Sequence, residues 1–234
     1  MARLRRKDLK RDRFVEEVTH QVRFVTRHKR QFIGAGIAAA VLLVAGVGYW
    51  TYDRQRQAES RAALQEAIEL FHGEVTSEER PGFKTFATEA DRTDQVTRAL
   101  DAISLDYPGT VAATGASYYS GLLDREHGNI AEARAHFEQA VRGRGAEFAA
   151  LARLALGGLL LDQGEADAAR VQFETLAEDP TRLVSRDLAN IEIARTFAVS
   201  DPERAREILS TIQAENGPAS AMASALMETL GEGG

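Results

Sequence analysis

The chain has 234 residues, of which 44% are apolar, and a formal net charge of −6 at pH 7. This length fits one domain and an additional segment, at the usual ~100–200 residues per domain. Cysteine is absent, which excludes disulfides, thiolate zinc sites and cysteine nucleophiles.

The first 30 residues form a basic segment. They hold eleven Lys and Arg against four Asp and Glu. Phe14, Val18, Val22 and Val25 recur at helical spacing, which predicts a basic amphipathic helix on the inner surface of a membrane. Its cations would set the membrane topology and attract anionic lipid. Ribosomal RNA or a cytosolic partner is the alternative target, because phosphate carries the same charge in RNA as in lipid.

Residues 31–52 contain no charged side chain. As a helix, this stretch would be about 33 Å long, close to the ~30 Å thickness of the bilayer hydrocarbon. We therefore predict one transmembrane helix. The basic residues Arg27, Lys29 and Arg30 place its N-terminal side in the cytoplasm. A signal peptide cleaved near Gly46–Gly48 is the alternative, although such peptides usually have an apolar region of only about 7–15 residues.

Residues 53–234 are acidic, with eighteen Lys and Arg against thirty-one Asp and Glu. An acidic surface repels nucleic acid. The segment is rich in Ala, Leu, Glu, Gln and Arg, so we predict an all-α domain. Its first helix is expected at Arg54–Phe71, in continuation of the anchor. A loop at His72–Asp91 and a helix at Arg92–Asp106, ended by Pro108-Gly109, should follow.

A repeat of thirty-six residues then appears. Three columns share this spacing: Ala133, Ala169 and Ala205; Phe137, Phe173 and Leu209; and Ala140, Leu176 and Ile212. The same shift places Gly121 over Gly157. The period predicts helix hairpins at about 112–143, 148–179 and 184–215, and a capping helix at 218–230. In the first hairpin the helices are expected at Ala113–His127 and Ile130–Arg142, and in the cap at Ala219–Leu230.

The repeats at Gly121–Ala140 and Gly157–Leu176 resemble the tetratricopeptide repeat family, with Gly in the first helix and Ala, Phe and Ala or Leu in the second. This resemblance implies an α-solenoid of helix hairpins after the transmembrane helix. The whole layout is similar to YfgM-type proteins, which are ancillary subunits of the bacterial Sec translocon. That similarity implies a single-pass inner-membrane protein whose periplasmic domain contacts the translocon, periplasmic chaperones or exported clients.

In such arrays the first helix of each pair lines a concave surface that receives a partner. The residues expected there are Tyr118, Leu122, Arg125, Leu154, Leu161, Asn190 and Phe197. We expect no enzyme and no cofactor, because phosphate-binding loops and nucleophile motifs are missing. Glu132, His136 and His127 are expected to be solvated polar residues, not metal ligands. The alternative function is a structural scaffold for an envelope or cell-division complex.

Overall fold

The computed structural model describes residues 29–76, 82 and 84–232, with only the backbone at 29–33, 35–36, 38–39 and 232. Helix α1 spans Lys29–Phe71, so the predicted helix at Arg54–Phe71 is the second part of one continuous helix. Apart from Lys29 and Arg30, the predicted basic amphipathic segment lies outside the described residues. In the part of the chain that is described, no helix is both long enough and apolar enough to cross a membrane.

The chain divides into two compact units between Gln55 and Arg56. In the first unit, the apolar side chains of α1 are exposed, and those of residues 41–44 have 60–73% of their surface accessible. The guanidinium of Arg54 lies 4.2 Å from the ring centroid of Trp50. The second unit contains the remaining helices and all of the buried cores described below.

Two short strands follow α1. β1 (Glu74–Val75) and β2 (Thr85–Phe86) pair in parallel, and helix α2 spans Glu89–Asp106. The prediction of a loop up to Asp91 is therefore wrong, as is the predicted start of α2 at Arg92. The hydroxyl of Thr88 accepts a hydrogen bond from the backbone N–H of Asp91 at 3.1 Å. This Thr-x-x-Asp capping pattern was the signal for the earlier start.

The rest of the described chain is a series of helix hairpins, so the all-α prediction is confirmed apart from the two short strands. The hairpins are α3 (Val111–Glu126) with α4 (Ile130–Val141), α5 (Ala146–Asp162) with α6 (Ala166–Glu178), and α7 (Arg186–Phe197) with α8 (Pro202–Ala214). The last helix, α9 (Ser220–Glu232), packs on α8.

The repeat columns lie where the helices of each pair meet. Ala133, Ala169 and Ala205 have no accessible surface, nor have the larger side chains at the next column, among them Phe137 and Phe173. A Cβ atom on Gly121 would lie 2.6 Å from Cδ1 of Phe137, and one on Gly157 would clash with Phe173 in the same way. The small residues therefore let a large side chain, Phe137, Phe173 or Leu209, fill each crossing, as the thirty-six-residue register predicts.

One buried cation joins the end of α1 to the next two helices. The Arg92 side chain is only 8% exposed and forms ion pairs with Glu89 and Glu126. It also donates a hydrogen bond of 2.8 Å to the backbone carbonyl of Phe71. This carbonyl belongs to the last turn of α1, where no intrahelical donor is available. Arg92 therefore fixes the C-terminal end of α1 against α2 and α3.

Candidate functional site

One face of α5 carries small and apolar residues that the hairpins leave only partly covered. They recur every three or four positions and so form one stripe along the helix. The stripe consists of Leu151, Leu154, Ala155, Gly158 and Leu161, all of intermediate exposure. It forms the floor of a groove.

The two neighbouring first helices form the sides of this groove. α3 supplies Tyr118, Leu122 and Arg125, and α7 supplies Glu192 and Arg195. Together with the stripe and Asp162, which follows the stripe on α5, these residues line a cavity of about 310 Å³. We refer to this cavity as the α5 groove. Because only first helices line it, the α5 groove lies on one side of the stack of hairpins.

Charged side chains lie along both sides of the apolar floor. Arg125 Nη2 is 3.9 Å from Asp162 Oδ2, and both side chains are largely exposed. Arg195 Nη1 donates hydrogen bonds of 3.4 Å to both carboxylate oxygens of Glu192, but here the Glu192 side chain is only 14% exposed while that of its arginine is 54% exposed. Burial raises the pKa of the Glu192 carboxyl above its usual range, although Arg195 acts in the opposite direction. The cost of burying the Glu192 carboxylate is therefore offset only in part by the positive charge of Arg195.

Aromatic rings form the wall on the α3 side. The rings of Tyr118 and Tyr119 meet edge to face at 5.2 Å between centroids, and both also contact Phe148 at 6.4 Å. Burial raises the pKa of both tyrosines. Rings packed in this way lose little conformational entropy when a ligand binds, so they give the groove a rigid wall.

A second cavity of about 340 Å³ follows at the C-terminal end of the stack. α9 supplies Met222, Ala225, Leu226 and Thr229, and α7 supplies Ile191 and Arg195. Arg195 lines both cavities. The surface formed by first helices therefore continues from the α5 groove onto the capping helix.

The structure brings together five of the seven residues predicted for the concave surface. Those five, Tyr118, Leu122, Arg125, Leu154 and Leu161, line the α5 groove. Asn190 and Phe197 do not line it. The ring of Phe197 packs against the core between α7, α8 and α9, with the guanidinium of Arg170 4.1 Å from its centroid.

On α7 the groove uses Glu192 and Arg195, which sequence reasoning did not select. The register of thirty-six residues places Asn190 and Phe197 at the positions of Leu154 and Leu161. Helix α5 forms the floor of the groove and α7 forms one of its sides, so the residues that α7 presents to the groove differ from those that the repeat aligns with the floor.

The polar residues grouped around Glu132 in the sequence do not converge. His136 Nδ1 lies 2.7 Å from Asp124 Oδ2, and His127 Nε2 lies 3.1 Å from the hydroxyl of Thr93. Each histidine thus has its own polar neighbour. Among the described residues, no group of three or more potential ligands could hold a metal ion.

The comparisons with known proteins give one match. A family model described as tetratricopeptide repeat-like domain matches residues 27–187, a range that contains all of α1 to α6. No curated protein and no solved structure matches the chain. Helices α3 and α5, which supply most of the groove, lie within the matched range.

Proposed function

Because the chain belongs to the tetratricopeptide repeat-like domain family, we propose that it is a membrane-anchored protein-interaction module whose α5 groove binds another protein. The observation that carries this proposal is the stripe on α5, in which three leucines that the core covers only in part and a glycine line an open cavity. Partner helices and peptides commonly occupy grooves of this kind.

The groove has the composition of a binding surface. Leu151, Leu154 and Leu161 supply apolar area that would leave water when a partner docks, at about 25 cal/mol per Å². The aromatic wall at Tyr118 and the two ion pairs beside the floor supply orientation and selectivity. Apolar area flanked by charged side chains is the composition of a protein-binding surface.

Membrane anchoring is the second part of the proposal. The stretch at 31–52 has no charge, and residues 41–44 in α1 expose their apolar side chains. Cations precede the stretch and the acidic domain follows it. The positive-inside rule then orients the N-terminus toward the cytoplasm and the hairpins away from it.

The third part concerns the partner. The layout of a basic start, an anchor and a repeat domain is similar to YfgM-type proteins, so we propose a place in a bacterial inner membrane with the hairpins in the periplasm. There the groove would receive a subunit of the Sec translocon, a periplasmic chaperone or an exported client. A permanent stoichiometric partner would indicate a structural scaffold instead.

A pair of variants tests the groove. Leu154→Glu places a charge on the apolar floor, whereas Val171→Glu places the same charge on α6 at an exposed position outside the groove. Proteins that co-purify with the tagged full chain from native membranes should be lost with Leu154→Glu and retained with Val171→Glu. Equal recovery with both variants would contradict binding in the groove.

The absence of cysteine makes the topology directly measurable. Ala2→Cys and Glu174→Cys each give a chain with one thiol, on opposite sides of the proposed anchor. In intact cells made permeable only in the outer membrane, an impermeant maleimide should label Glu174→Cys and spare Ala2→Cys until lysis. Labelling of both before lysis, or only of Ala2→Cys, would contradict the proposed orientation.

A further inference from the structure

Gly158 lies in the interior of a helix without an intramolecular reason for being a glycine. It lies inside α5, one turn before the C-terminal end, where glycine costs roughly 0.5–1 kcal/mol relative to alanine. A Cβ atom added there would meet no heavy atom within 4 Å. The α5 groove therefore has open space directly above the backbone at this residue.

Other helix glycines in the same region differ. Added Cβ atoms would contact Leu64 and Phe148 at Gly115, Phe137 at Gly121 and Phe173 at Gly157. These three glycines are explained by close packing inside the protein. Gly158 is adjacent to Gly157, but it faces the groove, so its small size benefits only a molecule that comes from outside.

Glu192 is a mostly buried acid that the free protein pairs with an exposed cation. Its side chain is only 14% exposed, and both carboxylate oxygens accept long hydrogen bonds of 3.4 Å from Nη1 of Arg195, whose side chain is 54% exposed. Burial raises the pKa of this carboxyl, which means that its charged form is disfavoured in the free groove. A second cation brought into the cavity would reduce that penalty.

We propose that the α5 groove receives a basic amphipathic α-helix, which crosses α5 closely at Gly158 and places one Lys or Arg beside Glu192. The proposal rests on the proposed function, because it specifies the partner of the same groove. The charge of the domain supports a basic partner, since residues 53–234 carry a net charge of −13. A small residue on the partner opposite Gly158 would allow the closest approach.

The backbone of the groove explains why the occupant is a helix. Helix α5 forms the floor and helices α3 and α7 form the sides. The backbone N–H and C=O groups inside these helices are already hydrogen-bonded within each helix. An extended peptide would place its own N–H and C=O groups against the leucines without partners, at about 1–3 kcal/mol for each group buried. A helix satisfies these groups internally and presents only side chains.

The test uses the full chain in lipid nanodiscs, so that detergent does not compete for the groove, and three labelled helical peptides. They share one stripe of Leu and Ala and differ at one position, which is Lys, Gln or Glu; about 16 residues give a helix roughly 24 Å long. The Lys peptide should bind about fivefold more tightly than the Gln peptide, as expected for one partly buried ion pair. The Glu peptide should bind most weakly.

Three variants assign the effect to the two residues. Glu192→Gln should remove the preference for Lys over Gln, whereas Gly158→Leu should weaken binding of all three peptides at least tenfold by filling the groove. Ala135→Leu adds the same bulk at an exposed position on α4 and should leave every affinity unchanged. Circular dichroism melting checks that Gly158→Leu is folded, and Gly158→Ala provides a smaller filling if it is not.

The outcomes separate this inference from the proposed function. Absence of binding by all three peptides, equal binding of Lys and Gln peptides, or a preference that persists in Glu192→Gln would overturn the basic-helix occupant. Equal affinity of Gly158→Leu and Ala135→Leu would overturn the close crossing. Any of these results leaves the loss of native partners with Leu154→Glu as an independent result for the proposed function.

Discussion

The two faces of α5 differ in what their leucines contact. Leu156, Leu159 and Leu160 are at most 5% exposed and lie in the core between hairpins. Leu154 and Leu161, on the same helix, pack against that core only in part and face the cavity. The comparison shows that residue type does not separate structural from binding positions in this fold. What separates them is whether the facing volume is already filled by the protein.

The largest difference between core positions and groove positions should appear on truncation of side chains. Phe173→Ala removes a fully buried ring and should lower the free energy of unfolding by about 3–5 kcal/mol. Leu154→Ala, which acts on a partly covered position of the groove, should cost about 1 kcal/mol. Urea unfolding followed by circular dichroism measures both. Equal costs would mean that the groove floor is part of the core.

The buried cation at the end of α1 should have the next largest effect. Arg92→Met removes hydrogen bonds to the Phe71 carbonyl and to Glu126, and should destabilise the domain by about 2–3 kcal/mol. Both carboxylates that it pairs with are about half exposed, so they can return to water. Arg98→Met, at a largely exposed arginine of the same helix, is the control and should change stability by less than ~0.5 kcal/mol. Similar effects of both substitutions would contradict a fixing role for Arg92.

The adjacent glycines of α5 should respond to alanine with opposite signs. Gly157→Ala forces a Cβ atom against Phe173 and should cost about 1–3 kcal/mol. Gly158→Ala enters open space and should stabilise the free protein by up to ~1 kcal/mol, because alanine is the better helix former. Thermal melting of the two variants checks this. Destabilisation by Gly158→Ala would show that the space above Gly158 is not free.

The smallest effect concerns the pH dependence set by Glu192. Its pKa is raised in the folded state, so the charged carboxylate lowers stability at pH values above that folded pKa. The penalty decreases as the pH falls through the folded pKa and vanishes below the unfolded pKa, where both states are protonated. Glu192→Gln should therefore be more stable than the parent chain at pH 7 and equal to it in acid. A difference that does not vary with pH would contradict this origin.

The hairpins could be predicted from the sequence because the second helices repeat a strict packing requirement. Ala133, Ala169 and Ala205 must be small so that the next column can fill the crossing between helices. The requirement recurs every thirty-six residues along the sequence, and the buried residues of the structure follow the same register. The capping box at Thr88 was also present in the sequence and would have placed the start of α2 correctly.

The groove could be predicted only in part, because its residues face no partner within the chain. Tyr118 and Leu154 were found by analogy with the concave side. On α7, which forms a side of the groove and not its floor, the lining residues are Glu192 and Arg195 instead of the residues that the repeat aligns with the floor. The thirty-six-residue register places Gly157 over Gly121 but assigns no role to Gly158. The open volume around its Cβ position shows that Gly158 faces the cavity.

The most direct test of the central claim is photo-crosslinking in native membranes. A photoreactive phenylalanine at Tyr118 lies in the α5 groove, and one at the exposed residue Glu174 of α6 lies outside it. The account predicts that Tyr118 captures a defined protein partner, identified by mass spectrometry, and that Glu174 does not capture it. Capture of the same proteins from both positions would contradict a partner-binding groove on the first helices.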